Sequence, residues 1–201
     1  MPKQVVLATR NAHKAEELAR ILNDLHSDIH VLTVADFPNA PEVDETEKTF
    51  VGNAFLKARA IAEFTKLPTV ADDSGLCVDA LNGEPGVFSA RYSGATDHVD
   101  QANLELVLEK MQGVPEGKRG AQFVCAAVLV IPDGPEVAVE GILEGSLLQE
   151  PSGENGFGYD PIFVPAGFKI TTAQMSAVDK DSISHRGQAL RQLAKSISAL
   201  I

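Results

Sequence analysis

Tryptophan is missing from this chain, and aromatic residues make up only 5% of its 201 positions. That scarcity excludes a platform of rings on which successive bases of a single strand stack. A basic excess is missing as well: 17 Lys and Arg stand against 28 Asp and Glu, a formal net charge of −11. Proteins that grip a nucleic-acid polymer need a cationic face, so that partner is excluded, whereas a small anion met by a few converging cations is not. Cysteine is nearly absent. Cys77 and Cys125 show no metal-ligand spacing and lie among aliphatic neighbours, which predicts two small buried hydrophobes. Long apolar runs are lacking too. The longest, Val124–Ile131, is far too short to cross a membrane, and the apolar stretch ahead of Arg10 is too brief for a signal-peptide core. The expectation is a cytoplasmic protein with no membrane partner.

What is present is ordinary in bulk: 44% hydrophobic and 22% charged residues. The length suits one domain over residues 1–201, or two lobes sharing a core, large enough to need no disulfides. Val5–Ala8 reads as a strand ending in a polar loop. From Lys14 onward Leu18, Ile21, Leu22 and Leu25 recur at helical spacing. Asp28–Val34 predicts a second strand and Phe37–Glu47 an acidic loop. Thr49 is placed to cap a helix with Phe50, Ala54, Phe55, Ala58, Ile61 and Ala62 on one face. A short strand, Thr69–Ala71, runs into Asp72-Asp73-Ser74-Gly75. Turns at Asn82-Gly83 and Pro85-Gly86 precede a helix starting at Asp97 or Asp100. Strands around Gln122–Ile131 and Glu136–Leu143 form a hairpin. After the Gly-rich loop Pro151–Tyr159 comes a strand, Ile162–Val164, and then a last helix burying Ala189, Leu190, Leu193, Ala194 and Ile197. Early strand–helix alternation followed by a hairpin predicts an α/β fold with a mixed central sheet flanked by helices.

Four stretches carry groups suited to chemistry. Thr9, Arg10, Asn11, Ala12, His13 and Lys14 sit between a strand and a helix, where backbone N–H groups and a cation can cradle phosphate. Lys14 at a helix start is disfavoured by the dipole unless an anion joins it. An ordinary polar turn fits the same pattern, and the glycines of a Walker loop are absent. Asp72 and Asp73 repel each other unless a cation compensates, and magnesium suits carboxylates that also face phosphate; a turn capped by Asp is the plainer reading. The acidic loop offers Asp44 or Glu45 as a further ligand, or is simply solvated. Ser152–Pro161 combines glycines with Phe157, Gly158, Tyr159 and Asp160, a setting for a flat base or for a plain loop. Lys180, His185 and Arg186 place cations near the start of the last helix, again sensible beside phosphate.

In order along the chain stand V-V-L-A-T-R-N-A-H-K, T-F-V-G-N-A-F-L-K-A-R-A, A-D-D-S-G-L, G-V-F-S-A-R-Y-S-G, G-F-G-Y-D-P-I-F and S-H-R-G-Q-A-L. This ordered set resembles the ITP/XTP pyrophosphatases, which remove noncanonical purine nucleotides such as dITP, ITP and XTP. The resemblance implies an elongated two-lobed α/β fold with an active-site cleft between the lobes, in a homodimer. It implies cleavage between the α and β phosphates to a monophosphate and pyrophosphate, with Mg2+ as cofactor. Asp73 would be the catalytic carboxylate and a metal ligand, with Asp72 beside it and Asp44 or Glu45 as the other metal carboxylate. Thr9–Lys14 and Lys57 would hold the phosphates. Ser74, Phe157–Asp160, Lys180, His185 and Arg186 would meet the substrate. Two departures stand out: Gly52 where relatives often carry Glu, and Asp44-Glu45 where Glu-Glu is common. The alternatives are a pyrophosphatase for other modified nucleotides and a Mg–nucleotide sensor that does not cut.

Overall fold

The computed structural model describes residues 3–25 and 29–201, the Leu25 side chain apart. Its elements are β1 (Lys3–Leu7), α1 (Ala12–Leu25), β2 (Ile29–Thr33), α2 (Phe50–Thr65), β3 (Thr69–Val78) and α3 (Val99–Lys110), then β4 (Gly120–Val130), β5 (Glu136–Leu147), β6 (Phe163–Pro165), α4 (Ala177–Ile183) and α5 (His185–Leu200). The six strands form one sheet in the order β2-β1-β3-β4-β5-β6. β1 pairs in parallel with β2 and β3, whereas β6 is antiparallel to β5. The fold is therefore α/β with a mixed sheet, as expected. Asp28, placed in the second strand by its alternation, lies outside the described residues.

Contacts divide the chain into two units: Met1–Asp73, Cys125–Gly141 and Arg186–Ile201 in the first, Ser74–Val124 and Ile142–His185 in the second. In the first unit strand alternation sorts the core into two faces. Val5, Leu7, Val70, Cys125, Ala127 and Leu129 pack with α1 and α5. Val6, Ala8, Ala71, Val128 and Val130 pack with Ala54, Ala58, Ile61 and Ala62 of α2. The same parity sends Asp72 to the α1/α5 face and Asp73 to the α2 face. α2 begins as its sequence predicts, with Thr49 Oγ1 accepting the Gly52 N–H at 3.2 Å.

Four expectations need correction. The acid pair does not end a strand: β3 runs on through Asp72–Gly75 to Val78. In the second unit a distant turn supports this continuation. The Leu76 N–H donates to Ser89 Oγ at 2.9 Å, and a Cβ on Gly75 would run into Gly86 O and Ser89 Oγ. α3 starts at Val99 after His98, not at Asp97 or Asp100, because Asp100 accepts the Gly158 N–H at 3.0 Å instead of capping its own helix. Lys180 lies in the last turn of the separate short helix α4, where a cation suits the dipole, five residues before α5 opens at His185. Cys77 is also only partly buried, whereas Cys125 is buried.

The second unit has its own core, in which Leu76, Val78, Leu104, Val107, Met111, Phe123, Tyr159, Ile162 and Phe163 meet. Arg119, a residue the sequence gives no reason to single out, is 4% exposed there. Its guanidinium donates to Leu147 O (2.8 Å), Leu148 O (2.9 Å) and Met111 O (3.1 Å), binding the ends of β5 and α3 through carbonyls alone. Arg119→Met leaves these carbonyls without donors and is expected to cost roughly 3 kcal/mol in urea unfolding. Among the described residues no helix is long and apolar enough to cross a membrane.

Candidate active site

In the first unit the loop after β1 is an exposed turn built around Asn11. Its Oδ1 accepts the Lys14 N–H at 3.0 Å, while Thr9 Oγ1 accepts the Asn11 N–H at 3.3 Å. Ala12 and His13 are exposed in the opening turn of α1, which carries no acidic residue, so its N–H groups suit an anion. Arg10 turns aside to donate to Ala40 O at 2.8 Å and ties this loop to the chain entering the acidic segment.

Asp72 and Asp73 have different surroundings. Asp72, fully buried, lies 3.2 Å from Lys14 Nζ and 3.5 Å from Arg186 Nε. Arg186 Nη1 also donates to buried Glu17 at 2.8 Å. Burial alone would raise the Asp72 pKa, but Lys14, Arg186 and Lys57 overcome it and hold the carboxyl well below its ordinary range. Asp73 accepts from Asn53 Nδ2 at 3.1 Å and lies 3.9 Å from Lys57 Nζ. Burial dominates here and pushes the Asp73 pKa up, with Glu45 adding to the rise and Lys57, Lys14 and Asn53 opposing it. The Lys57 ammonium also donates to Glu45 Oε1 at 2.6 Å. Burial would lower its pKa, but Asp72, Asp73 and Glu45 raise it instead.

Lys57 thus draws Glu45 and Asp73 toward one cation, while Asp44 is exposed on the loop. Asn53 closes that loop: its Oδ1 accepts the Glu47 N–H at 2.9 Å while its amide holds Asp73. Gly52 fits the same closure, since a Cβ there would meet Glu47 Cβ at 2.8 Å. Among the described residues no group of three or more His, Cys, Asp or Glu side chains is disposed to hold a metal ion. Magnesium takes one or two protein carboxylates and fills its other positions with water and phosphate oxygens. Asp73 and Glu45 fit that demand, as a buried carboxylate with a raised pKa beside a second acid is where a cation relieves charge.

In the second unit Ser74 is half-buried directly after Asp73 along β3. Asp160 accepts from Lys180 Nζ at 2.6 Å and from the Phe157 N–H at 2.9 Å. Lys180 lies 5.2 Å from the centre of the Phe157 ring. Gly158 adopts φ +60 and is held by Asp100. Tyr159 belongs to the core: its hydroxyl donates to Ser89 O at 2.8 Å, and burial raises its pKa. His185 is buried and stacks on Phe123 at 4.9 Å. The geometry gathers Phe157, Asp160 and Lys180, and sets Tyr159 and His185 into packing.

Sequence reasoning passed over Asn53, Glu17 and Thr172. For Asn53 a signal existed, since it stands four residues before Lys57 on the same helical face. Glu17 and Thr172 carried none.

An α/β protein with a cation-bearing loop at the end of β1 and a half-buried carboxylate–lysine–carboxylate cluster belongs among enzymes that act on phosphorylated compounds. The comparisons place it further: the Ham1 family matches over residues 5–196, and the chain belongs to that family. It is 52% identical over 199 residues to the dITP/XTP pyrophosphatase of Streptomyces avermitilis, covering 98% of each chain. It is 48% identical over 192 residues to the enzyme of that name in Lactiplantibacillus plantarum, covering 96% of this chain and 93% of the relative. The structure of the Staphylococcus aureus Ham1 protein matches with a TM-score of 0.87 at 38% identity, covering 98% of this chain and 99% of that one. The dITP/XTP pyrophosphatase of Mycobacterium abscessus matches with a TM-score of 0.76 at 48% identity, covering 94% and 98%.

Proposed function

We infer that this chain hydrolyses noncanonical purine nucleoside triphosphates (dITP, ITP and XTP) to the monophosphate and pyrophosphate, clearing deaminated purines from the nucleotide pool. The observation that carries the reading is Asp73: a buried carboxylate with a raised pKa, oriented by Asn53 and faced by Lys57. An ordinary Asp, with a pKa near ~3.9, is a feeble base at neutral pH. Held by Asn53, the Asp73 carboxylate is oriented to position the attacking water and accept its proton. The Asn53 amide holds Asp73 Oδ2 at 3.1 Å and leaves Oδ1 3.9 Å from Lys57 Nζ. Lys14 and Lys57 neutralise charge on the phosphate chain and on the departing pyrophosphate, and the exposed opening turn of α1 receives its oxygens. Asp73 and Glu45 would hold magnesium, which when bound supplies a water of lowered pKa and charge neutralisation at the phosphates. Asp72 keeps Lys14 and Arg186 in place. The anhydride between the α and β phosphates breaks: the water oxygen bonds to one of the two phosphorus atoms, the bridging oxygen leaves with the other, and the water protons pass through Asp73 to the products and solvent.

Lys180 carries only donors, so it complements the acceptor at position 6 of hypoxanthine or xanthine and opposes the amino group of adenine. Phe157 offers the base a ring face. The reading takes residues 1–201 as one domain acting as a homodimer.

A nucleotide panel with magnesium tests the function. ITP, dITP and XTP are expected to release pyrophosphate at least about a hundredfold more efficiently than ATP. Orthophosphate as first product, or equal turnover of ATP, would remove the reading.

A further inference from the structure

Asp160 is 3% exposed, yet donors from three separate stretches of chain converge on its carboxylate. Oδ2 is shared by Lys180 Nζ at 2.6 Å and the Phe157 N–H at 2.9 Å. Oδ1 accepts the Thr172 hydroxyl at 2.8 Å, which also lies 3.2 Å from the Asp160 carbonyl oxygen. On the remaining side the Gly-rich loop closes the space, because a Cβ on Gly156 would run into Oδ2. A carboxylate so engaged acts by holding other groups: it aims the Lys180 ammonium and sets the backbone at Phe157.

The terminal torsion of an Asp is broad, so a carboxylate held at one oxygen pivots, whereas donors on both oxygens fix its plane. Thr172 supplies the donor at the second oxygen. It is 1% exposed, and a hydroxyl that deep is costly unless bonded. The turn that carries it is sewn to the Gly-rich loop. Thr171 Oγ1 donates to Ser152 O at 2.6 Å, and Asn155 donates from N to Ala173 O and from Nδ2 to Met175 O, each at 2.9 Å. Gly153 lies so close that a Cβ would meet the Ala173 carbonyl carbon at 2.5 Å. Thr172 therefore keeps its place relative to Asp160 through backbone bonds, and its hydroxyl can transmit that position.

We propose that Thr172 is a positioning residue for base recognition: its hydroxyl bond to Asp160 fixes the carboxylate that aims Lys180, and so sets the preference for a 6-oxo purine over a 6-amino one. The role rests on the pyrophosphatase reading above. Thr172→Val keeps the shape and removes the hydroxyl, whereas Thr172→Ser keeps the hydroxyl. Steady-state kinetics of pyrophosphate release from ITP and from ATP, with thermal unfolding of each variant, form the test.

Thr172→Val is expected to lower kcat/KM for ITP about tenfold, mainly through KM, and to leave ATP within about twofold, so the ITP/ATP preference falls about tenfold. Thr172→Ser is expected to stay within about threefold of the unaltered chain on both. An unchanged ITP/ATP preference in Thr172→Val overturns the proposal. So does an equal loss on both nucleotides, which is what a purely structural role produces. Where the valine variant fails to fold, Thr172→Ala takes its place, and a serine variant that loses as much preference as the alanine one overturns the role of the hydroxyl. If the unaltered chain releases no pyrophosphate from ITP, function and role fall together; if it does and only the variants disagree, the role alone falls.

Discussion

Asp73→Asn is expected to lower pyrophosphate release from ITP by roughly 10²–10⁴-fold, the contribution of a positioned general base, and to make the metal-free protein more stable. The two effects share one cause. Burial raises the Asp73 pKa against the pull of Lys57, Lys14 and Asn53, so the ionised side chain costs the folded state free energy at neutral pH. An amide of the same shape removes that charge and still offers an oxygen to Asn53. The expected gain in Tm is roughly 2–4 °C, the shift that about 1 kcal/mol produces in a chain of this size. A raised folded pKa means that the folded state binds this proton more tightly than the unfolded one. The gain should therefore be full at neutral pH and vanish below about pH 4, where Asp73 is protonated in both states. Calorimetry across pH and a pyrophosphate assay check both halves, and near-normal turnover in this variant removes Asp73 from catalysis.

Asp72→Asn should do the opposite to stability. Lys14 and Arg186 overcome the burial of Asp72 and hold its carboxyl well below the ordinary range. Removing the negative charge leaves two cations and the Glu17 pairing without their centre. Breaking a buried pair from one side costs roughly 3–5 kcal/mol, a fall in Tm of roughly 10 °C. A depressed folded pKa gives stability that is present above the unfolded value near ~3.9 and lost as pH falls toward the folded one. The deficit of the Asp72→Asn variant is thus largest at neutral pH and shrinks below about pH 4. On acidification the two variants approach the unaltered protein from opposite sides. Equal signs for the two substitutions would contradict the separation of their faces.

Much of the fold was legible along the chain. Thr49 followed by apolar residues at helical spacing announces α2, and Ala189–Ile197 announces α5, because local propensity and amphipathic spacing are properties of nearby residues. The acid pair and the loop at Asn11 were visible as sites for charge, and Lys57 through the family motifs. The course of β3 was not, because Asp-Asp-Ser-Gly has the composition of a turn. What keeps it extended is Ser89, and the room beside Gly75 that only a glycine fills. The favourable dipole setting of Lys180 was not legible, since the break at Ser184 between α4 and α5 has no glycine or proline to mark it.

By itself, then, the sequence determined the inventory: an α/β chain, a cation-bearing loop after the first strand, a pair of acids, and glycines beside Phe157 and Asp160. Only the tertiary structure decided what each acid is for. Strand parity turns Asp72 toward the cations of α1 and α5 and Asp73 toward Asn53 and Lys57, so two adjacent and identical side chains acquire pKa values displaced in opposite directions. A pKa is set by burial and by charges a few ångströms away through space, and those neighbours lie up to 169 positions apart along the chain, as Glu17 and Arg186 do.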